Sequence, residues 1–109
     1  MYDIKEFTAR SGQKVTVHFK NSDFPPHNLL FVKPGAADEV AGLAIALGAE
    51  GFAKGFRPDS NKILWGSSML DHGQQSTINF IAPEPGDYPY LCTFPGHHIL
   101  MRGMMHVVK

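Results

Sequence analysis

Cysteine is scarce in this chain, one among 109 residues. A lone thiol closes no internal disulfide, so the fold must be held by its core, by a bound metal, or by both. Excess charge of either sign is also missing. Ten lysines and arginines balance ten aspartates and glutamates, which removes both the basic field of a nucleic-acid binder and the acidic tail of a cation sponge. No apolar run approaches the roughly 20 residues of a membrane-spanning helix. The opening Met1-Tyr-Asp-Ile-Lys-Glu is not a signal peptide. With 43% hydrophobic and 18% charged residues, the chain can build one core and not two, so a single domain over 1–109 is expected.

What the sequence does have is concentrated. Tyr88-Pro-Tyr-Leu-Cys92-Thr-Phe-Pro-Gly-His97-His-Ile-Leu-Met101-Arg-Gly103 gathers the cysteine, two histidines and a methionine into one turn-rich segment. Thiolate, imidazole and thioether are soft or borderline donors that suit copper better than calcium or magnesium, and Cys92-x4-His97-x3-Met101 lets one loop bend three donors toward a point. A fourth ligand is expected at His27, in Phe24-Pro-Pro-His-Asn-Leu-Leu-Phe31. Its two preceding prolines fix φ and leave the loop little freedom, which pre-positions a metal ligand. Two imidazoles, a thiolate and a distant thioether form the constellation of blue-copper electron-transfer sites. His98 is the rival of its neighbour His97, but adjacent side chains on a turn diverge.

The rest of the chain reads mostly as strands. Lys14–Lys20 alternates, with Val15, Val17 and Phe19 on one face and Thr16, His18 and Lys20 on the other. Further strands are expected at Ile4–Ala9, Asn28–Val32, Lys62–Trp65, Ser76–Ile81 and Arg102–Lys109, with a short one around Met69 and Leu70. Residues 36–48 change period. Val40, Leu43, Ala44 and Leu47 recur at helical spacing, Asp38 and Glu39 favour the start, and Gly48 offers a stop. Glu50 to Asn61 reads as loop. Pro83-Glu-Pro-Gly-Asp-Tyr88 resembles the tyrosine corner of Greek-key sandwiches. Tyr88, Tyr90 and Cys92 then share one strand face, while Pro89 needs an unpaired or edge position. His18 and His72 are expected in solvent, Trp65 in packing, and Met104 and Met105 in the core or along the last strand.

Cys-Thr-Phe-Pro-Gly-His-His-Ile-Leu-Met-Arg-Gly resembles the ligand loop of the cupredoxins, the small blue-copper proteins of the azurin, auracyanin and plastocyanin kind, and Pro26-His27-Asn28 resembles their upstream ligand motif. The likeness extends from about Ser11 to Lys109 and is loosest in the middle third. It implies an all-β Greek-key sandwich of about seven or eight strands with one short helical insertion near 36–48. It also implies one type 1 copper held by His27, Cys92, His97 and Met101. The family loop places the histidine ligand directly after Pro95-Gly96, hence His97, near the surface, with His27 deeper. By the same resemblance the Pro26 carbonyl lies on the side opposite Met101. Asn28 and Thr93 tie the two ligand loops together, and N–H groups near Asn28 and Phe94 bond the cysteine sulfur. The absence of a disulfide departs from azurin-like chains.

The expected activity is shuttling one electron between Cu(I) and Cu(II), not an enzymatic reaction, because a rigid site rearranges little when an electron arrives or leaves. Phe24, Pro25, Phe94, Pro95, Ile99 and Leu100 would surround His97 as a flat apolar patch for transient docking with redox proteins such as c-type cytochromes or dehydrogenase and oxidase modules. Copper carriers generally work outside the cytoplasm. An extracytoplasmic location is therefore expected, periplasmic or tethered to a membrane's exterior, with the chain a mature protein or an excised domain. Two alternatives are a copper-binding domain of a multidomain copper enzyme and a copper storage or delivery protein. The spare histidines His18, His72, His98 and His106 show no second ligand spacing. Cys92 and His97 as nucleophile and base would lack an orienting third group.

Overall fold

A computed structural model describes residues 2–97 and 100–109. Seven strands appear among them: β1 (Glu6–Arg10), β2 (Lys14–Lys20), β3 (Leu30–Val32), β4 (Ile63–Gly66), β5 (Gln75–Ile81), β6 (Gly86–Leu91) and β7 (Arg102–Val108), with helix α1 (Ala37–Ala46) between β3 and β4. Five strands form one sheet in the order β1-β7-β6-β3-β4, and β2 pairs with β5 in the other. All pairings are antiparallel except β1 with β7, where Phe7 lies opposite Met105.

Period-two alternation produces the sandwich. Tyr88, Tyr90, Met105 and Val107 of the larger sheet meet Val15, Ile78 and Phe80 of the smaller, and Phe31 is buried between them. Trp65 stacks on Phe80 with ring centroids 4.1 Å apart, a packing role as expected. The tyrosine corner is present, the Tyr88 hydroxyl donating to the Glu84 carbonyl at 2.7 Å. Pro89 lies on an interior strand but at a position unpaired on its β3 side, as its missing N–H requires. Met104, its partner on β7, sends its own N–H to Lys5, so the Pro89 nitrogen faces β3, whose pairing has ended at Phe31–Tyr90.

The outer face of the larger sheet is covered by α1, where Val32 and Leu91 pack against Ala36, Val40 and Ala41. The expected stripe is corrected here. The buried helix residues are Val40, Ala41 and Ala44, while Leu43 is 41% exposed. Two alanines let the helix come close to the sheet, and Leu43 with Leu47 turns toward a shallow groove beside Lys54, Arg57 and Pro58. Arg102 bonds Asp38 at 2.7 Å and Lys62 bonds Glu39 at 3.2 Å, tying the first turn to the strands.

Other boundaries moved slightly. The first strand begins at Glu6, the third at Leu30, and Met69–Leu70 yields only an isolated bridge from Leu70 to His27. The expected loop after Gly48 opens as a 3-10 turn, Gly48–Phe52. Gly51 sits against the Phe56 ring with no room for a Cβ, and Phe56 itself, 2% exposed, has a φ of 51°. That left-handed backbone is unfavourable for a non-glycine residue, and here it buries the ring under the loop.

Candidate metal centre

One end of the sandwich brings four segments together. β6 ends by delivering Cys92, fully buried, inward on the face of Tyr88 and Tyr90. The chain then turns back so that the Met101 carbonyl accepts the Cys92 N–H at 3.0 Å and the His97 carbonyl accepts the Met101 N–H at 2.8 Å. Gly96 makes the turn possible with a φ of 84°. After the loop, Gly103 lies opposite Tyr90, whose ring covers it so closely that no Cβ would fit.

His27 enters from the other side. Its N–H and carbonyl exchange bonds with Leu70 at 3.0 and 2.8 Å, and its side chain is buried, whereas His97 is half-buried. The two Nδ1 atoms lie 3.1 Å apart, and Cys92 Sγ is 3.9 Å from one and 3.8 Å from the other. All three ligand atoms fall within 4.8 Å of one another. A metal about 2.3 Å from sulfur and about 2.0–2.1 Å from each nitrogen, in a near-trigonal arrangement, separates S from N by about 3.8 Å and N from N by about 3.5 Å. The sulfur–nitrogen distances fit, and the two nitrogens sit slightly closer. Met101 is 4% exposed and lines the same cavity as His27.

Electrostatics keep the donors available. Burial pulls the His97 pKa below its usual 6.5, and the His27 imidazole facing it adds to the effect, so the ring stays a neutral donor. Burial pushes the Cys92 thiol up, with the N–H groups of Asn28 and Phe94 acting in the opposite direction. A metal cation must therefore displace the thiol proton, which its own charge favours.

The two ligand loops are joined through buried polar atoms. Asn28 Nδ2 donates to Thr93 Oγ1 at 2.9 Å, and the Thr93 N–H donates to Asn28 Oδ1 at 2.8 Å. Thr93 Oγ1 donates onward to the Phe56 carbonyl at 2.5 Å, and Asn28 Nδ2 also approaches the Gly55 carbonyl at 3.4 Å. That third loop carries no sequence signal, and neither does Tyr2, whose hydroxyl donates to the Asn28 carbonyl at 2.6 Å. Burial, then the neighbouring Cys92, raises the Tyr2 pKa well above 10.0. Asp23, 3.0 Å from His27 Nε2, was also missed, having read as a turn former.

The residues expected around His97 are placed unevenly. Phe94 is half-buried with its ring 4.8 Å from that of His97. Pro95 and Leu100 are exposed, Leu100 at 68%, as are Phe24 and Pro25, with Pro26 half-buried beside His27. Ile99 and His98 lie outside the described residues. Phe52, exposed at 71% and in edge contact with Phe56 and Phe94, extends this apolar surface from a loop that sequence reading passed over.

Residues 1–108 match the family of copper binding proteins described as the plastocyanin/azurin family. The chain belongs to that family. Auracyanin-A of Chloroflexus aurantiacus is 39% identical over 108 residues, covering 97% of this chain and 66% of that protein, so the chain spans just under two thirds of its length. Azurin of Pseudomonas aeruginosa is 27% identical, covering 88% of this chain and 69% of that protein. The crystal structure of Na-dithionite-reduced auracyanin from the photosynthetic bacterium Roseiflexus castenholzii superposes with a TM-score of 0.89 at 41% identity, covering 99% of this chain and 87% of that one. The fold is that of a cupredoxin, and copper is the metal to which the donor set and the family both point.

Proposed function

We propose that this chain carries single electrons through one type 1 copper, which His27, Cys92 and His97 would hold closely and the Met101 thioether weakly. The observation that carries this reading is the convergence of two imidazole Nδ1 atoms and one thiol sulfur at one end of a sandwich. When bound, the copper supplies the Cu(I)/Cu(II) couple. The protein supplies constancy of shape. Asn28 and Thr93 hold the His27 and Cys92 segments in fixed relation, the Pro25-Pro26 corner stiffens the approach to His27, and complete burial of Cys92 keeps water from the sulfur. A cavity that cannot relax imposes nearly one geometry on both oxidation states, so little energy is lost to rearrangement.

His97 is the route for the electron, being the half-exposed ligand. Around it Pro95, Leu100 and Phe52, with Phe24 and Pro25 on the neighbouring loop, offer an apolar surface for brief contact with a redox protein, such as a c-type cytochrome or an oxidase or dehydrogenase module. Work outside the cytoplasm, periplasmic or on a membrane's exterior, accords with the extracytoplasmic function of such carriers. No helix among the described residues is long and apolar enough to cross a membrane.

The alternatives as copper enzyme or copper carrier gain less support. Among the described residues the only group of three or more possible ligands is this one. His18, His72 and His106 are each engaged elsewhere, with Thr77, the Asp23 carbonyl and Asp87. Adding one equivalent of Cu(II) to the metal-free protein should produce an intense visible thiolate-to-copper band that dithionite bleaches and air or ferricyanide restores. A colourless complex would overturn the electron-carrier reading and favour storage or delivery.

A further inference from the structure

The imidazole of His27 has one nitrogen turned toward Cys92 and His97 and the other toward Asp23, whose Oδ2 lies 3.0 Å from Nε2. We propose that Asp23 is a positioning residue of the copper centre: its carboxylate accepts the His27 Nε2–H, fixes Nδ1 as the ligating atom, and lowers the reduction potential. The proposal rests on the assignment of His27 as a copper ligand.

A neutral imidazole carries a proton on one nitrogen and a lone pair on the other, so an acceptor at Nε2 leaves the lone pair at Nδ1. A carboxylate in that place also makes the ring more basic and adds a negative charge to the surroundings. Both effects favour Cu(II) over Cu(I). The His27 side chain is 7% exposed and that of Asp23 is 53% exposed, so solvent weakens the charge effect while the hydrogen bond keeps its geometry.

That geometry is built by the corner itself. Asn21 is 1% exposed, and its Oδ1 accepts the Asp23 N–H at 2.9 Å. The Asn21 amide donates to the Pro25 and Leu70 carbonyls, each at 2.9 Å. From outside, His72 Nδ1 lies 3.1 Å from the Asp23 carbonyl oxygen, and its ring stacks on Phe24 at 4.7 Å and 10°. Asp23 is thus clamped from both sides, with the rigid Pro25-Pro26 pair between it and His27. His72, exposed as expected, takes part in this clamp.

The test uses copper-loaded protein and three substitutions, Asp23→Ala, Asp23→Asn and Asp23→Glu. Each should remain blue. In Asp23→Ala the ratio of Cu(II) to Cu(I) affinity should fall about tenfold, a rise in potential of about 59 mV for one electron. Asp23→Asn, which keeps an acceptor without the charge, should rise less, and Asp23→Glu should return toward the parent value. Unchanged potentials in both Ala and Asn variants would overturn the proposal. Nuclear magnetic resonance of the parent protein in its diamagnetic Cu(I) form needs no variant to fold. It should show a slowly exchanging proton on His27 Nε2, and a fast-exchanging one, or a proton on Nδ1, overturns the assignment. Failure of the parent protein to turn blue would instead remove the copper reading beneath it.

Discussion

The two imidazoles of the candidate centre face each other across 3.1 Å yet belong to different kinds of surroundings. His27 is buried, bridged through its backbone to Leu70, bonded at Nε2 to Asp23, and followed by Asn28, which is locked to Thr93. His97 is half-buried on a turn built around Gly96, and apart from His27 and Cys92 its ring neighbour is Phe94. One side would fix a metal's position by a hydrogen-bonded lattice drawn from three segments. The other leaves a candidate ligand within reach of the surface. An electron carrier needs both, since a wholly buried site would be slow to exchange electrons and a wholly exposed one would reorganise with each transfer.

Substitutions can break this asymmetry, the largest effect being expected at the atom both sides share. Cys92→Ser should abolish the visible band and lower copper affinity severely, because a serine hydroxyl stays protonated where the thiol would ionise; absorption and chelator competition would show this. On the rigid side, Asn28→Ala strands the buried Thr93 N–H and removes a cross-loop bond. The metal-free protein should lose about 2–3 kcal/mol, measured by denaturant unfolding, and a loss under 0.5 kcal/mol would mean that the loops are held by something else. Gly103→Ala should cost about 1–3 kcal/mol by forcing the Tyr90 ring aside.

Proton competition sharpens the comparison further. The Cys92 thiol is raised by burial and stays protonated at neutral pH, while His97, lowered from 6.5, is already neutral there. Copper uptake then releases the thiol proton and none from His97. Apparent affinity should rise about tenfold per pH unit between pH 7 and 8, the equivalent of about 1.4 kcal/mol, and a chelator-competition titration giving a hundredfold rise would mean that an imidazole titrates as well. The smallest effect on stability is expected at Met101→Leu, a nearly volume-conserving change costing under about 1.5 kcal/mol. Copper should be retained and the potential shifted, whereas loss of copper would contradict a weak axial role.

Local chemistry makes much of this protein legible in its sequence. Period-two alternation marked β2, the Pro-Gly-Asp-Tyr approach marked the corner at Tyr88, and donor types with loop spacing marked Cys92, His97 and Met101. Each is a signal carried by residues near one another in the chain. Helix α1 shows the limit of such signals. Its spacing was visible, but its buried face turned from Leu43 to Ala41 because the closeness of the sheet at Val32 and Leu91, not the helix alone, chose the small residues.

The amino-acid order by itself therefore determined the fold class, the donor set and the order of the loops, since these depend on residue type and short-range spacing. Only the tertiary structure decided that Asn28 meets Thr93 across 65 positions, that Phe56 and Tyr2 close around the same pair, and that Asp23 and His72 brace His27. Most of these contacts join residues far apart along the chain, and even for Asp23 and His27, four positions apart, a polar side chain has many possible partners until packing removes all but one.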